Sequence, residues 1–199
     1  MLRADRPIRP AGPHDRKALV ATLSQAFQTD PAVSWIFPDA VERARRLPRM
    51  FGILVDGDLK AGMALMSPLG EVATLWRAPG RAETSRVELV RKALPLIRAF
   101  GGALGRALRI AESIDAHHPV GVDYWYLHYA GVQPEAQGRG WGGQAIRAGL
   151  ARAQSEGRPV YLETATPANV PRYRALGFEV SVEWEVAGGG PHFWSMLRR

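Results

Sequence analysis

An α+β fold is what the sequence predicts, and three observations predict it. Apolar runs of strand length and amphipathic helical stripes follow one another in no fixed alternation. A single strand, helix, strand crossover stands near the end of the chain. Hydrophobic residues make up 46% of the 199 positions and charged residues 23%, enough for a core and too apolar for a disordered chain. That length suits one domain, residues 1–199.

The elements follow in order. After a short extended segment around Ile8, Leu19, Leu23 and Phe27 recur at helical spacing within a first helix from His14 to Phe27. The segment from Asp30 to Asp39 reads as a loop bounded by Pro31 and Pro38. A second helix runs from Val41 to Val55 and closes at Gly57. Lys60 to Met66 and Glu71 to Arg77 are apolar runs joined by a hairpin-length turn, so they should be antiparallel neighbours. Between Ala82 and His118 the pattern is helical, broken at Pro95 and at Gly101 and Gly102. The aromatic stretch Tyr124 to Val132 is a strand. Beyond a glycine-rich turn, Ala145, Ile146, Gly149, Leu150 and Ala153 form a small-residue helix face suited to close packing on a sheet. Val160 to Glu163 is a strand and Val170 to Leu176 a short helix. Phe178 to Val186 and His192 to Leu197 make a hairpin across three glycines.

The chain has no cysteine, which removes disulfides, thiolate metal sites, iron-sulfur clusters and a cysteine nucleophile. No histidine or acidic spacing suggests a metal, and none is expected. The opening residues carry charges and prolines where a signal peptide needs an apolar core, so the mature chain is expected to begin near Met1. No apolar run approaches the ~20 residues that span a bilayer, so no membrane partner and a cytoplasmic location are expected. The net charge is +7, from a basic set of three lysines and 23 scattered arginines. The scatter reads as a compositional bias more than a nucleic-acid surface, although an anionic partner such as a phosphorylated cofactor stays open.

The segment from Val132 to Gly143 follows a strand and opens a helix. Its glycines let backbone approach a ligand, and the helix N-terminus presents unpaired N–H groups, an arrangement suited to phosphate. Gly138, Gly140 and Gly143 also satisfy G-x-G-x-x-G, with Glu163 twenty residues further on. That dinucleotide reading is disfavoured, because the strand ends several residues before Gly138 and too little chain remains for a second mononucleotide half.

Gln137-x-x-Gly140-x-Gly142 resembles the acyl-coenzyme A pyrophosphate loop of the GNAT superfamily of N-acetyltransferases. Asn169 to Phe178, with Tyr173 four residues before Gly177-Phe178, resembles the second signature of that superfamily. The pair covers roughly Tyr124 to Phe178, and its details are closest to the arylalkylamine N-acetyltransferase branch. The resemblance implies a strongly twisted mixed sheet with helices on both faces, split near its middle to admit the pantetheine arm. It implies acetyl-coenzyme A as co-substrate, held by backbone at Ala130 and Val132 and by Gln137, Gly138, Arg139, Gly140, Trp141, Gly142 and Gly143. Arg147 and Arg152 would add positive charge. Asn169 is a helix N-cap or a contact to the cofactor arm, and Thr166 stands where the family usually has asparagine.

Three residues are candidates for the chemistry. Tyr173 falls where the family places a hydroxyl beside the departing sulfur, or is a core tyrosine. Strand alternation puts Tyr124, Tyr126, His128 and Ala130 on one face. His128 then matches one of two relay histidines in the arylalkylamine branch, and Tyr126 replaces the other. Glu163 is the rival base, and both histidine and carboxylate keep structural alternatives. His117 and His118 read as a helix end, and Trp35, Phe37 and Trp76 as acceptor-pocket lining or core. The expected activity is transfer of acetyl to a primary amine of a small molecule or peptide, directly in a ternary complex because cysteine is absent. The alternative is a non-catalytic acyl-coenzyme A sensor on the same fold. A homodimer stays open.

Overall fold

The computed structural model describes residues 7–82 and 93–199. The start of the helical region expected between Ala82 and His118, and Met1 to Arg6, lie outside the described residues. Seven strands form one sheet in the order β1-β2-β3-β4-β5-β7-β6. They are β1 (Arg9–Ala11), β2 (Gly62–Met66), β3 (Val72–Arg77), β4 (Trp125–Val132), β5 (Val160–Thr164), β6 (Glu179–Glu185) and β7 (His192–Arg198). The β4–β5 pair is parallel and every other pair is antiparallel.

One face carries α1 (Arg16–Ala26) and α3 (Ala40–Ala61) over Leu19, Leu23, Leu47, Phe51, Val55 and Leu75. The other carries α6 (Trp141–Ser155) and α7 (Val170–Arg174) over Trp76, Leu127, Ile146, Leu150, Leu162 and Phe178. Each such side chain contributes about 1.5–3 kcal/mol when taken from water. The face of α6 expected to lie on the sheet, Ala145, Ile146, Gly149, Leu150 and Ala153, is the buried one. Gly149 is required there, because a Cβ would collide with the Trp76 ring. Around a cavity on the α1/α3 side of the sheet, α2 (Pro31–Ile36), α4 (Ala93–Phe100) and α5 (Leu104–Asp115) complete the fold.

Three local expectations are corrected. The segment read as a loop between Pro31 and Pro38 contains α2: Asp30 accepts a hydrogen bond from the Val33 amide at 3.0 Å, and Pro31 fits the first turn. Helix α3 does not close at Gly57 but runs to Ala61, so Lys60 and Ala61 are helical and not the start of β2. A helical glycine costs about 1 kcal/mol, and the buried contacts of the next residue, Asp58, offset it. The third correction concerns β4. Leu75 pairs with Tyr129 and Trp76 with Leu127, leaving His128 as an extra residue, a β-bulge. Alternation therefore breaks at His128. Tyr126 and His128 share a face with Tyr129, whose ring meets Phe27 and Phe51. Ala130 belongs to the opposite face, against the cluster under α6.

Candidate active site

Strands β4 and β5 are paired only at Trp125 with Val160 and at Tyr126 with Tyr161. From Leu127 onward the two strands part, although β4 stays paired with β3 as far as Val132. This leaves strand-edge backbone at Ala130 and Val132 facing a gap in the sheet. At the end of the gap, Pro134–Ala136 forms a short 3-10 turn, and the Gln137 side-chain amide donates to the Val132 carbonyl at 3.3 Å. Gly138 and Gly140 take positive φ values of 73° and 87°, and Gly140 is the N-cap of α6. A Cβ on Gly138 would meet nothing within 4 Å, so this backbone is open to an approaching group. A Cβ on Gly142 would press on Val132 at 3.2 Å, which fixes the start of α6 against the strand end. The Arg147 guanidinium lies over Gly143, beside the positive end of the helix. Arg152 is committed to Glu156 at 2.7 Å.

A cavity of about 390 Å³ opens beside the gap. Ile36, Met50, Leu54, Leu104 and Ile110 line its apolar wall, and Asp30, Arg77, Tyr126, His128, Glu163 and Tyr173 supply its polar groups. The sequence-predicted residues His128, Glu163, Tyr173, Ala130 and Asn169 thus come together on one cavity. Phe37 and Trp76 do not; both are core. Trp35 packs against the α1/α3 core. Asn169 stands at the N-cap position of α7 without capping it, and its Oδ1 accepts from Arg172 at 2.9 Å.

Two acid–histidine pairs meet the cavity. In the first, Asp58, fully buried near the end of α3, binds His128 Nδ1 through Oδ2 at 2.7 Å and accepts from Arg77 Nε through Oδ1 at 2.7 Å. Burial opposes ionisation of Asp58, but His128 and Arg77 outweigh it and hold the carboxyl below its ordinary range. Burial pushes His128 below the ordinary histidine value, against the pull of Asp58. In the second, His118 Nε2 lies 3.2 Å from Glu163 Oε1 without hydrogen-bond alignment, and His118 Nδ1 meets the Tyr124 hydroxyl at 2.9 Å. Tyr126 stands between the pairs, its ring 5.1 Å from His128 and 4.9 Å from His118. Its hydroxyl is pushed up by burial first and then by the charge of Glu163.

Sequence reasoning missed Asp58, Arg77 and the role of His118. Only an acid next to the expected helix end and an arginine at a strand end marked the first two. Tyr173 is pushed up to about 12, by burial and then by the charge of Asp30. Asp30 itself is shifted upward by burial.

Residues 100–178 match the model of the Acetyltransferase (GNAT) family. That segment is thus similar to the GNAT acetyltransferases, and the fold is theirs. It is 27% identical over 176 residues to an uncharacterised N-acetyltransferase of Schizosaccharomyces pombe, covering 82% of this chain and 70% of that one. The structure is similar to one described as histone acetyltransferase HPA2 and related acetyltransferase from Corynebacterium glutamicum, with a TM-score of 0.72, 24% identity, and 96% and 94% of the two chains covered. It is also similar to arylalkylamine N-acetyltransferase 2 of Aedes aegypti, with a TM-score of 0.63, 14% identity, and 96% and 97% covered. The matched GNAT segment includes the glycine turn, His128, Glu163 and Tyr173, and begins after Asp58 and Arg77. No described helix is long and apolar enough to cross a membrane.

Proposed function

We propose that this chain is an N-acetyltransferase that moves acetyl from acetyl-coenzyme A to a primary amine of a small molecule, by direct attack in a ternary complex. The observation that carries the reading is the β4–β5 gap, which joins the open glycine turn to a cavity holding His128, Glu163 and Tyr173. The residues present suit the donor: amides at the start of α6 for pyrophosphate, Arg147 and Arg139 for charge, and free edges of β4 for an amide-bearing arm. Bound there, acetyl-coenzyme A supplies an activated thioester carbonyl.

The chain's own groups then divide the work. An amine attacks only when neutral, so a base must take its proton as the C–N bond forms and the C–S bond breaks. His128, kept neutral by burial, has Nε2 available for that proton because Nδ1 is engaged by Asp58. Glu163, beside His118 and Tyr126, holds the acceptor end of the cavity. Tyr173 stays protonated and donates a hydrogen bond to the leaving sulfur. At about 12 its phenol is on the order of a thousandfold less acidic than an ordinary thiol, so stabilisation outweighs full proton delivery. With no cysteine in the chain, an acetyl-cysteine relay has no nucleophile.

A screen of primary amines, read by thiol release from acetyl-coenzyme A, tests the reading. Amine-dependent release is expected. Failure of every amine, with a melting curve moved by NAD and not by coenzyme A, would overturn it.

A further inference from the structure

Resting on that transferase reading, we propose that Asp58, anchored by Arg77, is a positioning residue that fixes His128 as the Nδ1–H tautomer and so leaves Nε2 as the proton acceptor. Three elements distant in sequence converge on this arrangement. Asp58 comes from α3, Arg77 from the end of β3 and His128 from the bulge of β4. An isolated buried carboxylate costs several kcal/mol, and here both oxygens are engaged at 2.7 Å by separate donors. A carboxylate only accepts, so the proton of neutral His128 must sit on Nδ1. Arg77 is itself fixed at its far end, where Nη1 donates to the Ala82 carbonyl at 2.6 Å.

The bulge is what makes the contact. With regular pairing, residue 128 would lie within the ladder opposite β3; as the extra residue it turns its ring toward α3 and the cavity. Asp58, Arg77 and Glu163 are the charged groups acting on His128, with the Tyr126 and Tyr129 rings packed against it. Asp58 and Glu163 raise its basicity while burial and Arg77 lower it. Arg77 therefore keeps Asp58 ionised and also prevents it from holding His128 in the charged form.

In Asp58→Asn the Arg77 guanidinium claims the amide oxygen, because that bond is charge-assisted. The amide N–H then faces His128 Nδ1 and imposes the Nε2–H tautomer, which has no lone pair toward the cavity. The test has two arms. Histidine-selective nitrogen NMR on the wild-type protein should show His128 as Nδ1–H at neutral pH, and this arm stands even if Asp58→Asn does not fold. Asp58→Asn should lower kcat/KM at least ~100-fold, the usual worth of a general base, with coenzyme A binding retained. Arg77→Gln should move the acidic limb of the kcat/KM profile to higher pH, an effect a purely structural anchor would not have. An Nε2–H tautomer in an active wild-type protein would overturn this proposal alone, as would a fully active, folded Asp58→Asn. Absence of thiol release by the wild type would instead overturn the transferase reading, and the catalytic half of this proposal with it.

Discussion

The two ends of the proposed site are built from different materials. At the gap, the groups proposed to bind are backbone: the edge of β4, glycines at positive φ and the first amides of α6. At the proposed acceptor end they are side chains from α3, β3, β4, β5 and the turn after α5, gathered around the buried Arg77–Asp58 ion pair with its contact to His128, and around the approach of His118 to Glu163. A backbone site leaves a contiguous trace in the sequence, because only particular residues permit its geometry. A site made of converging side chains leaves isolated acids, histidines and arginines that look like any others. The family match follows the same division, since it takes in the glycine turn and starts beyond Asp58 and Arg77.

The largest effect should come from the side-chain end. His128→Gln should lower kcat/KM by about 100-fold to 10,000-fold, while the shift in melting temperature caused by coenzyme A is retained. Loss of coenzyme A binding in that variant would show that the two ends are not separable. At the backbone end, Gly140→Val places a branched side chain at φ 87° in the turn itself. It should remove the stabilisation by coenzyme A, worth about 2.7 kcal/mol at a hundred times the dissociation constant, as read by thermal melting. A variant that still binds would move the phosphate contact away from the turn.

Tyr173→Phe sits between the two ends and should act more mildly. One hydrogen bond to a charged group is worth about 1.5–3 kcal/mol, so kcat should fall ~10-fold to 100-fold with cofactor affinity unchanged. An undiminished kcat would return Tyr173 to a packing role against Phe178, whose ring lies 5.8 Å away.

The smallest effect is on stability against pH. Buried His128 is less basic than in the unfolded chain, so unfolding takes up a proton and stability falls as pH drops below ~6.5. Asp58, more acidic in the fold, adds a second fall below pH ~4. Melting temperatures across this range should show both steps in the wild type, and His128→Gln should lose the upper one and weaken the lower, because His128 helps to hold Asp58 ionised.

Much of the frame was legible because local chemistry fixes it. The hairpin of β2 and β3, the crossover through α6 and the buried face of that helix all follow from patterning and glycine placement. The failures have local causes too. Asp30-Pro31 is a helix start that looks like a turn, and Gly57 looks like a helix stop that Asp58 overrides from the next position. The bulge at His128 moved Ala130 off the expected face, since a one-residue slip in a strand sends every later side chain to the opposite side. Asp58 was hidden for the same reason that it matters: its partners are 19 and 70 residues away.

The acidic limb of kcat/KM, measured in His128→Gln and Glu163→Gln beside the wild type, tests most directly whether proton removal runs through the Asp58-held histidine. The limb should vanish in His128→Gln, with a depressed rate at neutral pH, and persist in Glu163→Gln, whose main change should be a raised KM for the amine. A limb that persists in His128→Gln and vanishes in Glu163→Gln would contradict the account and make Glu163 the base.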